Sequence, residues 1–139
     1  LGLAFVAFYR TTENSKNLAR NAADISRTLQ AGERWREEVR TANIAPRLED
    51  EAGAQVFRLP HAAGDISYTF RDGAVWRLAL PLTNWVDVLP AVAGSTMRPA
   101  PRHHVTCWHW DVELTGKQKV ARIRPLFSFQ AVNPASKKP

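Results

Sequence analysis

The first 42 residues contain no proline and only two glycines, and this run constrains the fold more than any other feature. Apolar side chains recur there at spacings of four, three and four, which places them on one face of an α-helix. They are Leu18, Ala22, Ile25 and Leu29, and the apolar residues Trp35 and Val39 follow them. Asn43 and Pro46 predict the end of the helix. Such a helix would be about 60 Å long, so we expect its start to project from a domain of this size.

The predicted helix starts with an apolar segment, residues 1–9 (LGLAFVAFY). A helix that spans a bilayer needs about 20 apolar residues, so this segment cannot cross a membrane by itself. We interpret it as the end of a longer apolar helix that serves as an anchor or an assembly element. Residues 10–42 are the amphipathic part of the helix, whose apolar face we expect to pack on the rest of the chain.

After the helix the hydropathy pattern changes to a period of two. The strongest local signal is Asp72-Gly73 between two alternating runs, 66–71 and 74–80, which is typical of a β-hairpin with a type I′ turn. We expect Tyr68 and Trp76 to lie on the same side of this hairpin. Further strands are predicted at 55–59, 105–114 and 120–132, with residue 125 as a break. The proline-containing segment 81–102 is predicted to be irregular or to lie at the edge of the sheet.

These patterns predict an α+β fold, in which a long N-terminal helix packs on an antiparallel sheet of about four strands. The predicted organisation has three parts: residues 1–45 as the helix, residues 46–132 as the β domain and residues 133–139 as a disordered basic tail. On the strand at 105–114, we expect Trp108 and Trp110 to face the core, and Cys107, His109 and Asp111 to face outward.

Charge is distributed unevenly along the chain, whose formal net charge is +6. Residues 1–50 hold eight basic and seven acidic residues, while residues 51–139 hold 11 basic and six acidic ones. Four basic residues near the C-terminus are candidates for binding a polyanion: Lys117, Lys119, Arg122 and Arg124. A small basic nucleic-acid-binding α+β module is therefore the alternative interpretation of the function, with nucleic acid as its partner.

No motif of a catalytic site is present, so we predict that the chain is not an enzyme and uses no cofactor.

The five tryptophans are better explained as core residues than as a stacking platform for bases. His103, His109 and Asp111, near His104, are weak candidates for a metal site, but a zinc site needs three or four converging ligands. The better interpretation is that they are polar residues on the solvent face of a strand. The single cysteine, Cys107, excludes an intrachain disulfide.

Three short segments and the order of the elements resemble type IV pilin-like proteins, and most closely the minor pseudopilins (J-type) of type II secretion systems. The segments are residues 29–42 (LQAGERWREEVRTA), Ile66-Ser67-Tyr68, and Asp72-Gly73 with Arg77 four residues later. The family's glycine cleavage site and its glutamate at the fifth mature position are not found in this sequence. Glu13 is too far along the chain for that role, which we do not assign to it.

The resemblance implies a structural subunit of a type IV pilus-like or type II secretion filament. It implies a single-pass protein of the bacterial inner membrane, with its globular domain in the periplasm before it joins a filament. Its partners would be other pilin or pseudopilin subunits. The apolar residues that we predict to pack in the membrane and later in the filament are Leu1, Leu3, Phe5, Val6 and Phe8.

Overall fold

A computed structural model describes the backbone of residues 2–115 and 126–136, and the side chains of residues 22–115 and 126–135. This part of the chain contains one α-helix, eight strands and a short 3-10 helix, Pro134–Ser136. The helix is α1 (Gly2–Thr41), and the strands are β1 (Arg47–Glu51), β2 (Ala54–Leu59), β3 (Ile66–Arg71), β4 (Ala74–Ala79), β5 (Val86–Leu89), β6 (Val92–Pro101), β7 (Thr106–Leu114) and β8 (Leu126–Val132).

The strands form two antiparallel sheets, and the predicted fold class was wrong. One sheet has five strands in the order β1-β2-β3-β4-β5, and the other has three in the order β6-β7-β8. Strands make up 51% of the residues whose side chains are described, 22–115 and 126–135, so this part of the chain is mostly β. The single sheet of about four strands, covered by a long helix, is not observed.

Three strands were missed because their composition is typical of loops. β1 (RLEDE) has four charged residues out of five, and β6 contains Pro99 and Pro101. β1, β5 and β6 each lie at the edge of a sheet, where charged residues and prolines are tolerated because one side of the strand has no partner. Of the predicted last strand, residues 120–125 lie outside the described part of the chain.

The chain divides into two compact units, Leu1–Gln30 and Ala31–Pro139. Only the last turns of α1 belong to the second unit, together with all the strands. In the first unit Ile25 is 39% exposed and Leu29 is 47% exposed. The helix face that is buried in the second unit carries Gly32, Trp35 and Val39, at spacings of three and four.

The hairpin predicted at Asp72-Gly73 is confirmed, and it connects β3 to β4. Both turn residues have positive φ, 51° and 69°, as a type I′ turn requires. The predicted facing of the two strands was wrong, because the two-residue turn places Arg71 opposite Ala74. Tyr68 consequently pairs with Arg77, whereas Trp76 pairs with Thr69 on the other side of the sheet.

The core of the second unit is rich in aromatic side chains from both sheets and from α1. Trp35, which is fully buried, lies 6.1 Å from Phe57 of β2 and 5.7 Å from Trp110 of β7, measured between ring centroids. The predicted inward facing of Trp108 and Trp110 on β7 is confirmed, because both are buried. Cys107 was predicted to face outward but is 4% exposed. Each such large apolar side chain contributes about 1.5–3 kcal/mol to stability on burial.

Within the described residues, no helix combines the length and the apolar character that crossing a bilayer requires.

Candidate functional site

A nearly buried polar cluster joins the last turns of α1 to the hairpin β3–β4. Nη2 of Arg77 lies 2.7 Å from Oε2 of Glu38, and Nε of Arg77 lies 3.1 Å from both carboxylate oxygens. The hydroxyl of Tyr68 donates a further hydrogen bond to Oε1 of Glu38. The two charged side chains are only 10% and 15% exposed, so their pairing offsets the loss of hydration.

The protonation states of this cluster are set by its burial and its charges. Burial, followed by the charge of Glu38 and its hydrogen bond, raises the pKa of Tyr68 well above its ordinary value of 10.0. For Arg77, burial lowers the pKa, but the hydrogen bond to Glu38 and the charge of that carboxylate outweigh it and raise the pKa. Tyr68 therefore stays neutral and Arg77 stays charged at neutral pH.

The C-terminal carbonyls of α1 are also satisfied by residues distant in sequence. Nδ2 of Asn133 donates to the carbonyl oxygens of Val39 at 2.7 Å and Ala42 at 2.9 Å. Nε2 of His61 lies 2.9 Å from the carbonyl oxygen of Glu38. Because the last four carbonyls of a helix have no partner within it, these contacts fix the end of α1. Asn133 was predicted to lie in the disordered tail but is fully buried; residues 137–139 lie outside the described part.

A groove of about 490 Å³ lies between the exposed face of α1 and β8, which we name the β8 groove. It is lined by Glu33, Arg36, Glu37, Arg40, Arg102, Cys107, Gln130, Ala131 and Val132. Arg36 pairs with Glu33 at 2.9 Å, and Arg40 pairs with Glu37. Within the described residues no ion pair of Arg102 is found, so this guanidinium is available to an anion from outside.

The three weak metal candidates are not brought together into a metal site. Asp111 accepts a hydrogen bond from Ser128 at 2.6 Å and lies 3.4 Å from Arg98. The ring of His103 stacks on that of His104. Among the described residues, no group of three or more His, Cys, Asp or Glu side chains could hold a metal ion.

Two other predicted sets of site residues cannot be placed. Lys117, Lys119, Arg122 and Arg124 lie outside the described residues, as does Leu1; for Leu3, Phe5, Val6 and Phe8 the backbone is helical but the side chains are outside the described part. The polyanion site, and the nucleic-acid-binding alternative that rests on it, therefore stay predictions.

The polar cluster itself was missed at the level of sequence. Glu38 follows two charged residues of the predicted amphipathic helix, Arg36 and Glu37, and both of these are exposed, yet Glu38 is only 8% exposed. Arg77 could have indicated the cluster, because it is a charged residue inside a strand of alternating hydropathy. A charged side chain among buried neighbours needs a partner of opposite charge. Arg71 was also missed, although its guanidinium lies 5.3 Å from the centre of the Trp76 ring and 5.8 Å from that of Trp85.

No family model matches the chain, and no curated protein or solved structure matches it significantly.

Proposed function

We propose that the chain is a structural subunit, a minor pilin or pseudopilin, of a type IV pilus-like or type II secretion filament. The observation that supports this proposal is that α1 is divided between the two compact units. The helix begins at Gly2, whereas the unit that contains the strands begins at Ala31. The first turns of α1 are apolar in sequence, and its last turns are held by Glu38, Arg77 and Asn133. An apolar segment at the start of a helix, whose last turns belong to a folded unit, suits a subunit that assembles through its helix.

The proposed mechanism is an exchange of environments for the apolar segment. Before assembly, Leu3, Phe5 and Phe8 contact lipid in the bacterial inner membrane, with the β-containing unit in the periplasm. After assembly the same side chains pack against the helices of neighbouring pilin or pseudopilin subunits. Because lipid tails are as apolar as these side chains, the exchange depends on close helix packing, and a polar substitution opposes it.

The test uses the protein expressed from its complete reading frame in its own cells. We expect the chain in the membrane fraction, and we expect intact mass and N-terminal sequencing to find a mature start upstream of Leu1 with a methylated aromatic first residue. Phe5→Asp should abolish recovery in sheared surface or periplasmic filaments. The matched control Asn84→Asp places the same charge on an exposed residue of the β unit and should leave assembly intact.

The proposal would be refuted by a protein that is found only in the soluble fraction and whose mature N-terminus lies near Leu1. Equal filament recovery for the wild-type chain and Phe5→Asp would refute the role of the apolar segment specifically.

A further inference from the structure

The strand β8 (LFSFQAV) is a sheet edge whose own residues lack the charges and prolines that usually prevent pairing. In the order β6-β7-β8 it has β7 on one side and no strand on the other within the described residues. Edge strands normally carry charges or prolines, which prevent the addition of a foreign strand. β1 has four charged residues, β5 has Asp87 and β6 has two prolines, whereas β8 has neither a charge nor a proline.

The surroundings of this edge select for an acidic partner. The β8 groove runs beside Gln130 and Val132, and three arginines line it: Arg36, Arg40 and Arg102. The carboxylates of Glu33 and Glu37 each pair with one of the first two. Arg102 adds a positive charge without an ion pair in the described part of the chain, so an incoming strand with carboxylates gains a favourable interaction.

The five-stranded sheet of the same chain has an acidic strand, β1, at one of its two edges. β1 (RLEDE) pairs only with β2, and its remaining edge has no strand beside it among the described residues. It carries Glu49, Asp50 and Glu51, of which Asp50 is exposed and makes no ion pair with a described residue. Like charges oppose the pairing of β1 with another β1, and two β8 grooves brought together would place their arginines side by side.

From these observations we infer that β1 of one copy adds to the open edge of β8 of the next copy, with Asp50 facing the arginines of the β8 groove. The main-chain hydrogen bonds between the two strands provide affinity, and the charges provide specificity for β1. A contact between two different surfaces of one chain is heterologous, and it continues from copy to copy into a ring or an open chain. This contact lies between β-containing units and goes beyond the proposed function, which concerns the apolar segment of α1.

The test is a charge exchange in the 139-residue chain, followed by sedimentation at several concentrations and at low salt. Asp50→Lys and Arg102→Glu should each weaken self-association about tenfold or more, since each opposes the charge of its partner surface. The double variant, and an equimolar mixture of the two single variants, should restore association. Asp87→Lys, an exposed charge change on β5, is the matched control and should have no effect.

A second measurement separates strand addition from charge attraction alone. Hydrogen exchange of the β8 amides should slow by about tenfold or more as the wild-type concentration rises, and should not slow in Asp50→Lys. Association that responds to Arg102→Glu but not to Asp50→Lys would overturn the inference, as would the absence of any association. Either failure leaves the membrane and N-terminus experiment unaffected, so the two proposals are refuted separately.

Discussion

Glu38, in the last turns of α1, and Arg77, in β4, form an ion pair that is nearly excluded from water, with 2.7 Å between Oε2 and Nη2. It connects residues 39 positions apart, and it is the electrostatic link between the helix end and the five-stranded sheet. This ion pair matters to stability because removing one of its two members raises the free energy of the folded state. A charge left alone at this depth loses its hydration without gaining a partner.

Removing one member of this pair should therefore destabilise the protein strongly. We expect Arg77→Met and Glu38→Leu each to lower the free energy of unfolding by about 3 kcal/mol, measured by urea denaturation. The double variant should lose less than the sum of the two, because no charge is left unpaired. The control Glu37→Leu removes an exposed ion pair with Arg40 and should cost less than about 1 kcal/mol. Additive losses would show that the pair is not coupled.

The raised pKa of Tyr68 predicts a loss of stability at alkaline pH. The hydroxyl is bound in its protonated form in the folded state, so its contribution is complete below the ordinary pKa of 10.0 and decreases as the pH rises above that value. For one group the decrease is about 1.4 kcal/mol per pH unit.

This loss is measured as the difference in unfolding free energy between the wild-type chain and Tyr68→Phe from pH 8 to 11.5. The difference should be constant below about pH 10 and shrink above it, because the variant has no proton to lose at this position. Parallel curves over the whole range would contradict the assignment of the proton to this hydrogen bond.

Local signals in the sequence were sufficient to predict some elements. The Asp72-Gly73 turn has the required backbone conformation, and the alternation of Trp108 and Trp110 places both in the core. These features depend on neighbouring residues alone. The facing of Trp76 was wrong because it depends on the register of β3 against β4, which a pattern within one strand does not contain.

Contacts between distant residues could not be predicted in the same way. Nothing in the spacing of Glu38 distinguishes it from the exposed charges beside it, since its burial depends on Arg77. Asn133 satisfies helix carbonyls 91 and 94 positions earlier, and a polar residue before a short basic tail carries no local sign of that role. The charged strand β1 could not be predicted as a strand either, because its conformation depends on its pairing with β2.

Asn133 should contribute measurably to stability despite lying close to the C-terminus. Asn133→Ala removes two hydrogen bonds and leaves the carbonyls of Val39 and Ala42 buried without this donor, so we expect a loss of about 1–3 kcal/mol in urea denaturation. Asn133→Asp should cost more, because a carboxylate oxygen would face carbonyl oxygens. Asn84→Ala, at an exposed position, should stay within about 0.5 kcal/mol of wild type. Equal losses for both alanine variants would refute the capping role.

Gly32 and Phe129 show why a glycine occupies the buried face of α1. Glycine to alanine usually stabilises a helix interior by about 1 kcal/mol, but a Cβ on Gly32 would overlap the ring of Phe129. We therefore expect Gly32→Ala to lower the unfolding free energy by about 1–3 kcal/mol through overpacking. Phe129→Leu makes space at this contact, so the double variant should lose less than the sum of the two single losses in a double-mutant cycle. If Gly32→Ala alone were stabilising, the close approach of the helix to β8 would be wrong.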